Sequence, residues 1–348
     1  MIVANSLARP GSFVGDLGGP AIALAEVFRA RRRISRWLSP TPILECEALS
    51  SHLGFRTILK CEHLNPTGAF KVRGGLNLLA AMPVEERARG VVAASTGNHA
   101  QSVAYAARLF GVPAFIYMPE NANPLKAHAT RALGAQVICE GADFDKARHA
   151  AEAHASRHGL RLIRSIEPLL IAGVAVGVLE LMEEVPEVDT ILVPVGGGSG
   201  VLGAGVVARA VNPAIQVIGV QAEGAPAIYQ SWKQGRRVVT ETIQTFAEGL
   251  ATREPFALTL ELLPSLVDEL TLVSDNMLVA AIRLLIDTSR QVVEGAGAAG
   301  LAAAMLLRER FAGRTVGIML SGANITAEQL RHILSIGSED RTRDGFTC

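Results

Sequence analysis

The sequence predicts an α/β fold built on mostly parallel sheets, and three observations lead there. Short β-branched strands alternate with alanine-rich helical stretches along most of the chain, the order that βαβ units impose. Loops rich in glycine or hydroxyl groups follow three of the strands, and the carboxyl ends of parallel strands are where such sheets carry ligands. Charge is balanced, with 33 Lys and Arg against 33 Asp and Glu, in a chain of 348 residues that is 49% hydrophobic. A large core can therefore form, and no global field draws nucleic acid or an anionic membrane. A neutral or zwitterionic small molecule is the partner that this balance fits.

The strands are expected at 57–61, 91–94, 114–118, 136–138, 190–195, 216–220 and 315–320, each a short apolar run bounded by turn residues. Helices are expected between them at 97–110, 123–133, 143–158, 171–185, 201–211, 275–291 and 298–310, from apolar periodicity or continuous apolar character. With parallel strands apolar on both sides, helices must cover both faces of the sheet. The run 168–179 is too short to span a bilayer and is followed by Glu180, so it reads as a buried helix.

The start, 1–19, lacks the basic-then-apolar order of a signal peptide. Cys46, Cys61, Cys139 and Cys348 are widely spaced, with no metal-binding pattern, which fits free thiols in a reducing, cytoplasmic setting. The polar tail 338–348 has no apolar face to bury and is expected to be disordered. The arginine-rich run 29–36 is too short to make a nucleic-acid surface.

Among five lysines, Lys71 stands out. It lies in 65–75, Asn-Pro-Thr-Gly-Ala-Phe-Lys-Val-Arg-Gly-Gly, where a Pro-x-Gly turn leads toward a helix-like stretch from Gly75. Apolar Phe70 and Val72, the helix N-terminus and Arg73 all disfavour its ammonium form. A lysine so depressed can act as a Schiff-base nucleophile; a plain surface lysine is the alternative that local sequence leaves open. The loop Gly196-Gly-Gly-Ser-Gly200 joins a strand to an apolar helix, an arrangement that cradles a phosphate on backbone N–H groups. No Lys-Ser/Thr follows it, and no acidic residue ends the next strand in the dinucleotide position, so a lone phosphate fits best; a merely tight turn is the alternative. Ser95-Thr-Gly-Asn-His99 opens a helix with hydroxyl, amide and backbone donors suited to a carboxylate, unless Ser95 and Thr96 only cap that helix. Leu320-Ser-Gly-Ala-Asn324 ends the last strand with a serine hydroxyl.

Taken together and in this order, with Glu294-Gly-Ala-Gly-Ala298, these segments resemble the serine/threonine dehydratases of the fold type II pyridoxal-phosphate enzymes, relatives of the tryptophan synthase β-chain, from Ser39 to Asn324. The resemblance implies two three-layer αβα domains: 1–60 with 166–337 as the larger, cofactor-binding one, and 61–165 as the smaller, carrying the carboxylate loop. It implies that Lys71 binds pyridoxal 5'-phosphate as a Schiff base, with Phe70 beside the ring. Gly196, Gly197, Gly198, Ser199 and Gly200 hold the phosphate, Asn98 meets the 3'-oxygen and Ser321 the pyridine nitrogen. Ser95, Thr96, Gly97 and His99 receive the substrate carboxylate. The implied reaction is β-elimination of water from L-threonine or L-serine, giving a 2-oxo acid and ammonia, in a homodimer or homotetramer. Dehydration of hydroxyaspartate or an ectoine-derived amino acid, and serine racemisation, are the alternatives within the family. A non-catalytic phosphate- or nucleotide-binding module explains the Gly196 loop but leaves Lys71, Asn98 and Ser321 without a task.

The pattern is broken in places. Gly196-Gly-Gly-Ser-Gly200 followed by Val201 stands where the family commonly has four glycines followed by leucine, Val174-Ala-Val176 replaces Gln-Gly-Thr, Arg164-Ser-Ile-Glu167 replaces His-Pro-Phe-Asp, and Glu248 precedes Gly249 in place of Asp. Racemases place a serine where Thr96 stands. Their cation site follows the strand that ends near Glu223, with an aspartate where Tyr229 stands, so no strong metal site is expected.

Overall fold

Ten strands form two sheets in the computed structural model, which describes residues 22–122 and 124–336. They are β1 (Ile43–Glu45), β2 (Arg56–Lys60), β3 (Val91–Ala94), β4 (Ala114–Met118), β5 (Gln136–Cys139), β6 (Arg161–Leu162), β7 (Thr190–Pro194), β8 (Gln216–Ala222), β9 (Glu269–Val273) and β10 (Thr315–Met319). One sheet has the order β1-β2-β10-β7-β8-β9 and the other β5-β4-β3-β6. Every neighbouring pair is parallel except β1 with β2. Parallel strands under helices on both faces have no wet side. Accordingly β10 is buried at all five positions, and β7 and β8 at all but one. The α/β class read from the alternation of elements is the observed one.

The helix Pro168–Glu184 organises the packing, and all thirteen residues from Leu170 to Met182 are buried. Pro168 sits in its first turn, where a missing N–H costs nothing. Neighbouring helices press on it where glycines remove the Cβ. A Cβ on Gly173 would stand 2.5 Å from the Arg73 carbonyl oxygen, and one on Gly203 3.1 Å from the backbone of Ala175. This helix therefore lies between the helix that begins at Lys71 and the helix that begins at Ser199. None of the helices among the described residues is long and apolar enough to cross a membrane.

Several boundaries differ from the sequence expectation. The helix after the Pro-x-Gly turn spans Lys71–Ala81 and starts at Lys71, not Gly75. The pair Gly74-Gly75 reads as a breaker, yet both lie inside the helix because Leu170 and Ser102 crowd them: Cβ atoms there would meet the Leu170 carbonyl oxygen at 2.9 Å and the Ser102 hydroxyl at 2.4 Å. The helix Ser199–Val211 takes in the last two residues of the glycine loop. The arginine-rich run belongs to the amphipathic helix Leu24–Ile34, which buries Val27, Ala30 and Ile34. Strands β1, β6 and β9 were not expected; the first two have only three and two residues. The expectations for 1–19, Asn123, Cys348 and the tail 338–348 lie outside the described residues.

Replacing Gly173 by alanine is expected to cost about 2 kcal/mol, because the added methyl overpacks a backbone contact that cannot give way cheaply. A lowered urea midpoint with unchanged slope in chemical denaturation is the check.

Candidate active site

Sheet order brings the motifs to one cleft. Strand β7 delivers Gly196–Gly200, β10 delivers Ser321 and β3 delivers Ser95–Asn98, each at a carboxyl end. The antiparallel bridge Ala69↔Gly322 and the hydrogen bond from the Phe70 N–H to the Ser321 carbonyl (3.0 Å) tie the Lys71 segment to the end of β10.

Lys71 is the first residue of its helix, and its Nζ donates to Ser199 Oγ at 2.7 Å. Its ammonium lies 5.3 Å from the centroid of the Phe70 ring. That ring in turn packs on Gly200, where a Cβ would stand 3.3 Å from it. Burial lowers the Lys71 pKa to about 8 from 10.5, and among the described residues no carboxylate forms an ion pair with it. At neutral pH a useful fraction of the amine is therefore free.

The glycine loop is pressed against its surroundings from behind. A Cβ on Gly196 would fall 2.0 Å from the Gly249 carbonyl oxygen. Gly198 has φ +111°, which only glycine adopts without strain, and Thr259 Oγ1 donates to the Gly197 carbonyl at 2.7 Å. The loop runs straight into the helix Ser199–Val211, so its bare amides combine with the positive end of the helix dipole. That is an anion site.

Ser95, Thr96, Gly97 and Asn98 form a second, partly exposed loop at the start of the helix Asn98–Phe110. The Gly97 N–H donates to Ser95 Oγ at 3.3 Å. Ser102, on the same helix, donates from Oγ to the Lys71 carbonyl at 2.6 Å and so fixes this loop relative to the lysine.

Comparison with known proteins joins these features. The sequence profile described as "Pyridoxal-phosphate dependent enzyme" matches residues 34–322. The chain belongs to this family of pyridoxal-phosphate-dependent enzymes. It is 41% identical to the L-threonine ammonia-lyase of Thermotoga maritima, over 91% of this chain and 79% of that one. It is 36% identical to the L-threo-3-hydroxyaspartate ammonia-lyase of Saccharomyces cerevisiae, over 90% and 97%. The structure of maize serine racemase superposes with a TM-score of 0.85 at 32% identity, covering 92% of this chain and 99% of that one.

The cleft of this pyridoxal-phosphate enzyme fits its cofactor. Bare amides at a helix N-terminus suit the phosphate, and a buried amine of lowered pKa suits the aldehyde. Asn98 is held for a third contact: its Nδ2 donates to Glu294 Oε1 at 2.6 Å and its Oδ1 accepts from Asn324 Nδ2 at 2.7 Å. One hydrogen of the amide remains free to donate. Burial pushes the Glu294 carboxyl above its ordinary value, although the Asn98 hydrogen bond opposes this. Glu294 and Asn324 were quoted in the sequence motifs without a role; the polar side chains at fixed places in two glycine-rich segments were the available signal. Ser102 and Thr259 carry no motif signal and were missed.

His99 is buried, unlike the rest of the loop. It is 5% exposed, neither ring nitrogen has a hydrogen-bond partner among the described residues, and the ring lies near the Ile163 backbone without reaching bonding geometry. Burial and then the Lys71 charge drive its pKa to about 3. A neutral imidazole brings no positive charge to a substrate carboxylate. Val174 packs on Gly74 and Ala175 on Gly203, so the departure from the family pattern there serves helix contacts. Glu223 is exposed, and Tyr229 donates its N–H to Gln221 Oε1.

Replacing Lys71 by Met is expected to stabilise the cofactor-free fold below about pH 8. There the folded state must hold a desolvated ammonium, whereas the unfolded chain keeps an ordinary lysine with a value of 10.5 in water. Between pH 8 and 10.5 the unfolded state binds more protons than the folded one, so the native protein recovers stability and the gain fades. Melting temperatures of both proteins across pH 6.5 to 10.5 test this.

Proposed function

We propose that this chain is an ammonia-lyase acting on a small β-hydroxy amino acid, L-threonine or L-serine, which it converts to a 2-oxo acid and ammonia. The observation that carries the reading is the buried Lys71 amine, brought to about 8 and hydrogen-bonded to Ser199 of the glycine loop. Names borne by the relatives support it, since the Thermotoga maritima protein is an L-threonine ammonia-lyase.

When bound, pyridoxal phosphate supplies the electron sink that makes the substrate α-hydrogen acidic. Gly196, Gly197, Gly198, Ser199 and Gly200 hold its phosphate, Asn98 its 3'-oxygen, Phe70 its ring and Ser321 its ring nitrogen. A hydroxyl at that nitrogen leaves it uncharged, which favours elimination over transamination. The N–H groups of Gly97 and Asn98, with the hydroxyls of Ser95 and Thr96, orient the substrate carboxylate at a helix N-terminus; His99 shapes the pocket as a neutral group. Lys71 accepts the α-proton at Nζ, and its lowered pKa keeps that nitrogen unprotonated often enough to act. Loss of the β-hydroxyl as water leaves an enamine, whose hydrolysis restores that water and releases ammonia.

Two observations bear on the neighbouring activities. Lys126, the cation beside Glu294, is ion-paired with Glu248, so the second carboxylate of a hydroxyaspartate finds no free positive charge there. Racemisation needs an acid/base on the far side of the substrate, and Thr96 stands where racemases have a serine. On this reading residues 61–165 form the unit carrying the carboxylate loop, and the remainder binds the cofactor. The assembly is a homodimer or homotetramer by family analogy, and the free thiols Cys46, Cys61 and Cys139 fit the cytoplasm.

Purified protein with pyridoxal phosphate should show an absorbance band at roughly 410 nm, the usual signature of the lysine-bound cofactor, and should release 2-oxobutyrate from L-threonine. Lys71→Ala should abolish the band and cut turnover by about a thousandfold or more. A colourless wild-type protein, or one that releases no 2-oxo acid from threonine or serine but acts on hydroxyaspartate or converts L-serine to D-serine, would overturn the assignment.

A further inference from the structure

A cluster of four buried charges lies behind the catalytic lysine. Lys60, Glu62, Arg73 and Glu180 are 0%, 1%, 1% and 9% exposed. Arg73 forks twice. Its Nε and Nη2 donate to Glu62 Oε2 and Oε1 at 2.7 and 2.8 Å, and its Nη1 and Nη2 donate to Glu180 Oε1 and Oε2 at 2.8 Å each. Lys60 Nζ donates to Glu180 Oε2 at 2.6 Å and to the Thr41 carbonyl at 2.8 Å. Thr41 Oγ1 donates to Glu62 Oε1 at 2.6 Å and Asn65 Nδ2 to Glu62 Oε2 at 3.1 Å. Two cations meet two anions, and each carboxylate oxygen accepts at least one hydrogen bond.

We propose that Arg73 is a positioning residue for Lys71: forked between Glu62 and Glu180, it fixes the first turn of the helix Lys71–Ala81 and thereby the reach of Lys71 to Ser199. The inference rests on the lyase reading of the same cleft and adds a residue that touches neither substrate nor cofactor.

Helix geometry places the two side chains back to back. Residues two apart on an α-helix are separated by about 200°, so Lys71 enters the cleft while Arg73 leaves toward the cluster. What Arg73 grips also matters. Glu180 belongs to the helix Pro168–Glu184, which backs the helix of Ser199 through Ala175 and Gly203. Lys60 ends β2, and its carbonyl accepts from the Leu320 N–H at 3.0 Å, one residue before Ser321. The pieces that deliver Lys71, Ser199 and Ser321 are thus referred to one guanidinium. Burying such a cluster does little for net stability, because desolvation offsets the attraction. Its planar, directional bonds instead leave one relative placement of three elements. A lysine at this position keeps the charge but cannot fork to two carboxylates at once.

The test is Arg73→Lys in the full-length chain stripped of cofactor, read as the rate of pyridoxal-phosphate capture at roughly 410 nm against pH. Capture follows the free amine of Lys71, which faces the Ser199 hydroxyl and the neutral His99. Wild-type capture should rise with a midpoint near 8. Arg73→Lys should move that midpoint up by about one unit or more, a loss of about tenfold in capture rate near neutrality. Should Arg73→Lys not fold, the charge-balanced pair Lys60→Met with Glu180→Gln removes one fork and should move the midpoint the same way. Leu285→Ala, a core change in a separate cluster, should lower the melting temperature without moving the midpoint. A folded Arg73→Lys protein with wild-type midpoint and capture rate overturns the proposal. A wild-type protein that captures no cofactor overturns the lyase reading instead.

Discussion

A lysine attacks a carbonyl only as the free amine, and a protein obtains a free amine by taking it out of water without giving it a carboxylate for company. Much of the cleft follows from that constraint. Lys71 is buried, yet its near partner is the Ser199 hydroxyl and its titratable neighbour His99 is kept neutral. The carboxylates that lie within reach of the site are engaged elsewhere. Glu62 and Glu180 are occupied by Arg73 and Lys60 on the far side of the helix. Glu294 is turned to Asn98, and burial favours its uncharged form. An ion pair from any of them to Lys71 would raise its pKa and hold it protonated.

The same requirement explains why so many glycines sit at helix contacts. To bury the start of the Lys71 helix, the helices Asn98–Phe110 and Pro168–Glu184 must approach its backbone directly. They do so at Gly74, Gly75 and Gly173, where a Cβ would collide. Glycine inside a helix costs about 1 kcal/mol against alanine, but here the alternative is a clash that would push the lysine back toward solvent. Helix propensity yields to packing, and the chain accepts a weaker local signal for a tighter cleft.

That trade also explains what could be read in advance. The α/β class, the parallel strands and the two loops were legible because strand–glycine–helix junctions write themselves into composition. Lys71 and the loop from Gly196 to Gly200 stand out by their setting, but a surface lysine and a tight turn stay open until the segments are taken together, and Asn98 receives its role only from the family resemblance. Helix boundaries near the cleft differ for the opposite reason: Gly74-Gly75 puts the expected helix start four residues late, at Gly75, and Ser199-Gly200 looks like loop. Only tertiary contacts reveal that both pairs are helical. The helix Ala327–Ser335 was missed although Thr326 and Gln329 form a capping box visible in the sequence. Glu294, Asn324 and the Arg73 cluster could not be derived locally, since their partners lie tens to hundreds of residues away.

On the proposed reading, the charges beside Glu294 bear on substrate choice. The helix Pro124–Ala132 brings Lys126 across to Glu248, which follows the long loop after the helix Ala227–Gln234, and Arg253 near the end of that loop pairs with Asp145. Both bridges join the β3–β6 side of the molecule to the β7–β10 side, and Lys126, which lies beside Glu294, is spent on one of them. A dicarboxylic substrate would have to compete with Glu248 for Lys126, losing the bridge to gain the contact. A substrate with an uncharged side chain leaves the bridge intact and needs only the carboxylate loop and the lysine. Within a family whose members accept either kind, this arrangement weighs toward threonine and serine.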